Sequence, residues 1–392
     1  MFADKPGEFA YPRELLLRLI LMSVFDGGLS SREIERKTRT DIAYMYLAGM
    51  QHPSYRTIAR FKVDYPDLID ESFKTTIKIA KEEDLVKIHH VSLDGTKIKA
   101  KTSMNKLTNE QQLKIMKQHL KESIELDEEE DMELGEESGK DIISINDPDA
   151  RFMKNKKWKW EFDYNGQIAV DDYKGIILAS YITDNSTDYY ELIPLMEQVQ
   201  SNLSEIYDET PVNYQVSADN GYSTDMNTEY LEQNGFDGYI SSRKLSREQK
   251  KYNLSDKPFA KDNFFYDNEM MTYICPLGQP LYKISEYTYK NKSRISHWTK
   301  ECKTYPMQLF CSKGNRCRVI QDYGIPSKIR MQWKMETPEA KERYKICSKT
   351  VERPFAHLKQ NMHLTEFRTT GLQEVNTELK LYTIGHNLKR IY

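Results

Sequence analysis

The chain has 392 residues, 39% of them hydrophobic and 30% charged, with a formal net charge of −3. That length can hold a large core and more than one domain, and no stretch reaches the roughly 18 uninterrupted apolar residues that a membrane span needs. Residues 1–13 lack the basic-then-apolar design of a secretory signal, so a cytoplasmic protein is expected, and five late cysteines in such a chain argue against a disulfide framework.

The net charge averages over uneven segments. Residues 122–137 hold ten Asp and Glu and no Lys or Arg, whereas residues 290–392 hold 21 Lys and Arg against 9 Asp and Glu. A basic surplus of that size is the electrostatic footprint of a phosphate-binding surface, and it is equally the mark of a solvated lysine-rich one.

In chain order, residues 12–25 have the apolar density of a buried helix that opens on Pro12 and stops at Gly27-Gly28. Ser30 and Glu33 have capping-box spacing and start a second helix running to Arg39. Further helices are expected at 41–47 and 54–62, the latter with Arg56 and Arg60 one turn apart on one face. Four short helices, the last one basic, suit a helical DNA-binding module over 1–86; a plain helical packing domain fits the pattern as well. From position 87 the periodicity changes to strands, at 88–95, 160–170, 175–182 and 213–218, rich in β-branched and aromatic residues. An acidic arm at 107–145 interrupts them. A Lys- and Tyr-rich stretch at 238–338 with four of the five cysteines reads as an inserted subdomain, and helices are expected again at 340–361 and 372–391 within a closing segment, 339–392.

Two acids stand where strand-like runs are expected to end, Asp94 and Asp219, each followed closely by glycine. Carboxylates there offer hard oxygen ligands suited to Mg²⁺ or Mn²⁺, and two such ions can activate an attacking oxygen and stabilise a leaving one in phosphodiester displacement. Glu352 is the best third acid, with Lys359 two helical turns on. The bland alternative is that Asp-Gly and Asp-Asn-Gly are turns, and for any single Asp the spacing alone favours it. Asp147-Pro148-Asp149 and Asp171-Asp172 are competing pairs that look like turns and rank lower.

Several segments together resemble bacterial insertion-sequence transposases of the insertion-sequence-four superfamily, most closely its "eleven eighty-two" group. They are Tyr11-Pro12-Arg13-Glu14-Leu15-Leu16, Gly28-Leu29-Ser30-Ser31-Arg32-Glu33, Leu93-Asp94-Gly95-Thr96-Lys97, Asn146-Asp147-Pro148-Asp149-Ala150-Arg151, Ala218-Asp219-Asn220-Gly221-Tyr222, Val351-Glu352-Arg353-Pro354-Phe355 and His386-Asn387-Leu388-Lys389-Arg390. The resemblance implies an α/β chain with an RNase H-like catalytic core over 87–237 and 339–392. Asp94, Asp219 and Glu352 would be its catalytic, Mg²⁺- or Mn²⁺-binding triad, acting in cleavage at insertion-sequence ends and strand transfer into target DNA. Arg56, Arg60, Lys349, Arg353 and Lys359 would contact double-stranded DNA, and a homodimer would pair two ends in a bacterial, nucleoid-associated setting.

The family's Tyr and Arg ahead of the last acid are replaced here by Lys345 and Ser348, with Tyr344 one position off and Lys349 able to replace the charge. Relatives usually carry a further leading segment, so a shortened start is also expected. Rival readings are a catalytically silent DNA-binding remnant and a nuclease without strand transfer. For Cys275, Cys302, Cys311 and Cys317 the resemblance raises a structural Zn²⁺ site. Zinc thiolates usually come two to four residues apart, and these are 27, 9 and 6 apart, so free buried thiols are the preferred state.

Overall fold

Local sequence accounts for the first helices. The computed structural model describes residues 11–102, 144, 146–154, 159–208, 211–241, 258–289, 292–304, 308–312 and 317–392; of the acidic arm, all but Ser144 lies outside them. Helix α1 (Arg13–Phe25) follows Pro12 and gives way to Gly27 and Gly28, both at positive φ. Helix α2 (Ser31–Thr40) opens on the expected capping box, with the Ser30 hydroxyl accepting from the Glu33 amide and the Glu33 carboxylate accepting from the Ser30 amide. Asp41 caps α3 (Ile42–Leu47) and Ser54 caps α4 (Tyr55–Asp64). Sequence reading stops there, but a longer helix follows, α5 (Pro66–Glu82). Pro66 supplies its first turn, and Ile69, Phe73, Ile77 and Ala80 make a buried stripe that the surrounding Lys, Thr and Glu residues obscure.

The main sheet has six strands: β1 (His90–Lys99), β2 (Arg151–Lys154), β3 (Trp160–Asp171), β4 (Ile177–Thr183), β5 (Gln215–Ala218) and β6 (Asp237–Ile240). Their order is β2-β3-β1-β5-β6, with β4 on β3. Strand β3 pairs antiparallel with β1, β2 and β4, whereas β1-β5 and β5-β6 are parallel. Parallel pairing needs crossovers, supplied by α6 (Leu192–Ser204) before β5 and α7 (Asp225–Gln233) before β6. Because β6 belongs to this sheet, the core strands run to Ile240, beyond the 237 boundary read from sequence.

A second, antiparallel sheet follows: β7 (Phe265–Asp267), β8 (Thr272–Ile274), β9 (Pro280–Tyr289), β10 (Lys292–Trp298) and β11 (Ile320–Gly324). It has its own small core of Phe264, Tyr266, Tyr273, Leu281 and Ile320. Helix α8 (Gln308–Cys311) lies between β10 and β11, and α9 (Pro326–Lys334) returns the chain to α7 and β6. Met331 and Met335 join the main core, so the chain re-enters it before the expected 338.

The closing segment is α10 (Pro338–Ala356), one π turn (His357–Asn361) and α11 (Leu372–Ile391). Helix α11 packs on α1, α5 and β4. Through it, Leu16, Leu19, Phe73 and Ile77 share one continuous core with Ile168, Val170 and Leu178 of the sheet, so the N-terminal helices are not a free-standing module. Asn387 clasps this junction: its amide donates to Thr76 Oγ1 and to the Ile177 carbonyl, while its oxygen accepts from the Ile177 amide. The Asp147 and Asp149 carboxylates accept from the Gly371 and Leu372 amides, at the N-terminal end of α11 where its dipole favours negative charge. No described helix is long and apolar enough to cross a membrane.

Candidate active site

Strand pairing brings the first two candidate acids together across 125 positions of sequence. In the parallel β1-β5 ladder Ser92 stands opposite Ser217, and their hydroxyls are 3.1 Å apart on one face. Strand side chains alternate, so Asp94 and Asp219, each two residues on, project from that same face on neighbouring strands. Asp219 ends its strand as expected: its backbone is still extended, and its carboxylate caps a short 3₁₀ turn by accepting from the Gly221 amide at 2.7 Å. Asp94 does not. Strand β1 continues to Lys99, so Asp94-Gly95 is mid-strand and neither a strand end nor a turn. The glycine there has a spatial reason: a Cβ at Gly95 would lie 2.5 Å from both Asp188 Oδ1 and Gln167 Nε2, so a larger residue would have to displace those two side chains.

Asp188 is the residue that sequence reading missed. Its Oδ1 accepts from Asn165 at 2.7 Å and Gln167 at 2.6 Å, both on β3, and its carboxylate also abuts Gly221 behind Asp219. Gln167 in turn accepts a short hydrogen bond from the buried Tyr222 hydroxyl. Burial first, and then the charges of Asp188, Asp94 and Asp219, hold that hydroxyl protonated far above the usual tyrosine range. The available signal was the pair of glycines, at 95 and 221, each close behind a candidate acid. A glycine not required by a turn marks a close approach by something else.

Glu352 comes in on α10, which packs on β1, β5 and β6. The charge of Arg343, early in that helix, acts on His90, and Lys359, just past its end, donates to Thr96 Oγ1 at 2.7 Å and the Lys97 carbonyl at 2.8 Å. Helix and strand therefore run side by side in one direction, about 24 Å of helix at ~1.5 Å per residue against about 20 Å of strand at ~3.3 Å. By that count Glu352 falls just past the midpoint of the helical run between Arg343 and Lys359. It is exposed, as are Lys349 and Arg353. Thr96 shares the face of Asp94, so the structure sets Lys359, Asp94 and Asp219 on one side of the sheet.

Among the described residues no group of three or more His, Cys, Asp or Glu side chains is gathered closely enough to hold a metal. Asp94 and Asp219 instead each turn an oxygen to a nearby amide, that of Gly95 at 2.8 Å and Gly221 at 2.7 Å. The donor chemistry fits a hard divalent cation, and side-chain rotation is what would gather it. Of the basic residues in α4, Arg56 bonds its neighbour Tyr55 through Nε and Arg60 pairs with Asp64 at 3.5 Å; both are exposed on the face opposite Thr57, Ile58 and Phe61. The Ser348 side chain lies outside the described residues.

Residues 274–392 match a family model described as "Transposase DDE domain", and residues 1–64 match one described as "Transposase domain (DUF772)". Together they support a DDE transposase, and residues 274–392 take in Glu352 and Lys359. No curated protein matches the chain. Among solved structures, a pre-cleavage Mos1 transpososome is 11% identical with a TM-score of 0.21, covering 62% of this chain and 63% of that one. A Mos1 transposase paired-end complex with the left transposon end is 10% identical with a TM-score of 0.20, covering 60% and 61%. The chain spans about three-fifths of the length of these two. At TM-scores this low the likeness carries no argument.

Proposed function

We propose that this chain is a DNA transposase of the insertion-sequence-four superfamily. It cleaves DNA at insertion-sequence ends and joins the freed 3′ hydroxyl to target DNA, with Asp94, Asp219 and Glu352 as the catalytic triad. The observation that carries the reading is the pairing of Asp94 and Asp219 on one face of adjacent parallel strands, with the Glu352 and Lys359 helix beside them. The strand order supports an RNase H-like core: three antiparallel strands, β4-β3-β1, continued by the parallel pair β5 and β6.

The three carboxylates would hold Mg²⁺ or Mn²⁺, which when bound polarises the phosphodiester and lowers the pKa of the attacking water or hydroxyl. The rest is done by the chain's own side chains. Lys359 holds an ammonium on the face of Asp94, while Lys349 and Arg353 flank Glu352 on exposed turns of α10, where a phosphate backbone can be gripped. Arg56 and Arg60 hold the terminal repeat from the exposed side of α4. Two ends must be joined, which calls for a homodimer on DNA.

The test incubates purified full-length protein with labelled element ends, target DNA and Mg²⁺ or Mn²⁺, beside Asp94→Ala, Asp219→Ala and Glu352→Ala. Joined products from the wild type that vanish in all three variants are the expected result. Binding without cleavage in either metal would make the chain a silent DNA-binding remnant, and cleavage without joining would make it a nuclease.

A further inference from the structure

Four cysteines that are far apart in sequence meet at one end of the second sheet. The 27-residue gap between Cys275 and Cys302 is largely filled by the β9-β10 hairpin, whose strands run antiparallel from the Tyr289–Lys292 pair back to Tyr282–Trp298. A hairpin returns the chain to its starting point, so its two flanks, carrying Cys275 and Cys302, lie side by side. Cys317 stands three residues before Ile320, which pairs with His297 near the same hairpin base. Cys311 ends α8 and, like Cys275, packs against the small core of this sheet. Cys302 shares a thiol hydrogen bond with Cys317 and feels the sulfurs of Cys275 and Cys311 as well. Cys275, Cys302 and Cys311 line one cavity of about 30 Å³.

Two further observations bear on what this cluster holds. Cys275 Sγ accepts from two backbone amides, Leu277 and Gln279, each at 3.3 Å, across a turn in which Gly278 takes a positive φ. Two N–H groups converging on one sulfur hold it in place at this turn. Arg318 lines the same cavity, and its Nε is buried with no hydrogen-bond partner. A tetrathiolate around a divalent ion carries two net negative charges, for which a neighbouring guanidinium is the natural counter-charge.

We infer that Cys275, Cys302, Cys311 and Cys317 form a structural tetrathiolate site for Zn²⁺ that ties the base of the β9-β10 hairpin to α8 and β11. The proposal departs from the preference drawn from spacing, because the hairpin can replace short sequence separation as the means of bringing thiols together. The four sulfurs are not drawn to coordination distance. Binding would release their protons and contract them around the ion, with Zn–S distances of about 2.3 Å. The site makes no use of the Asp94 and Asp219 carboxylates and does not depend on the transposition reading.

Elemental analysis of the full-length protein, purified without chelator, is expected to find one zinc per chain. Replacing that zinc with Co²⁺ is expected to give sulfur-to-cobalt charge-transfer absorption together with the visible bands of a tetrahedral ion. Cys302→Ser should lose the metal, whereas Cys347→Ser, 30 positions beyond Cys317 in sequence, should keep it. The wild-type measurements stand even if Cys302→Ser fails to fold. Wild-type protein that carries no zinc and gives no charge-transfer band with Co²⁺ would overturn the site, as would an intact mass two hydrogens light from a Cys302–Cys317 disulfide.

Discussion

Replacing Gly95 by alanine tests whether the strand beneath the candidate carboxylates is held by Asp188. The added Cβ would lie 2.5 Å from Asp188 Oδ1 and 2.5 Å from Gln167 Nε2, about 1 Å short of ordinary contact. Neither neighbour is a free chain end: they are bonded to each other at 2.6 Å, Asn165 also holds Asp188, and Tyr222 holds Gln167. Overpacking costs about 1–3 kcal/mol and a disrupted buried hydrogen bond about 1 kcal/mol more, so Gly95→Ala is expected to lose roughly 2–4 kcal/mol in urea unfolding with an unchanged m-value. If the clash with Asp188 is the cause, removing the carboxylate relieves it. In a double-mutant cycle with Asp188→Ala the two losses should then fall short of additive by about 1–2 kcal/mol. Additivity within about 0.5 kcal/mol, or a single-variant loss below about 1 kcal/mol, refutes the argument.

Asn387→Leu keeps the size of the side chain and strands the amide and carbonyl of Ile177, so a loss of roughly 2–5 kcal/mol by chemical denaturation is expected; a near-neutral variant would show that water replaces the clasp. Burial first, and the charge of Glu161 second, push the Asp163 carboxyl up to about 7, against the opposing pull of Lys97, Lys359 and Lys99. A folded pKa above the unfolded one stabilises the protein fully below about pH 4, and that stabilisation is lost as pH rises through about 7, at most about 4 kcal/mol in all. Stability curves of wild type and Asp163→Asn should therefore diverge in favour of Asn between pH 4 and 8, and parallel curves would contradict the shift. Lys359→Met removes the bonds to Thr96 and Lys97, with an expected stability loss of about 1–2 kcal/mol. Cleavage of element ends should fall at least about tenfold beyond any loss of folded protein, roughly 1.4 kcal/mol of transition-state stabilisation; unchanged cleavage would leave Lys359 a purely structural cation.

What could be read from the sequence was whatever a short window determines. The Ser30-Glu33 capping box, the Gly27-Gly28 stop and helix α11 at 372–391 all follow from local rules, and each is present. Helix α5 escaped because Lys, Thr and Glu between its buried Ile69, Phe73 and Ile77 blur the apolar stripe. The Asp94 strand end was misjudged because a glycine after an acid has two physical readings, a turn or a close approach, and only the third dimension supplies Asp188. The edges of the inserted stretch were hard to read for a related reason. Strand β6 is four residues long and looks peripheral until it pairs with β5, and Met331 and Met335 reach the main core from a helix that follows the insertion.

The motifs that resemble transposases divide, once folded, into two physical kinds. Asp147 and Asp149 accept from the first amides of α11, and Asp147 Oδ1 also accepts from the buried Tyr164 hydroxyl, so this acidic pair anchors a helix. His386 belongs to the same scaffold. Its Nε2 faces the Gly175 carbonyl and must carry the proton, which leaves Nδ1 to accept from His357 Nδ1 at 3.0 Å. Burial, opposed by the Gly175 carbonyl and reinforced by the His357 charge, keeps His386 neutral, with its pKa held down to about 3. Asp94, Asp219 and Glu352 differ in kind. Asp94 and Asp219 take hydrogen bonds from neighbouring amides, Glu352 is exposed, and all three stand on strands and a helix that the Asn387 and Asp147 contacts tie to one core. Motif residues bonded to distant backbone hold the frame, whereas Asp94 and Asp219 bond amides within two residues of themselves and Glu352 faces solvent. By that criterion the three acids are the place to test first.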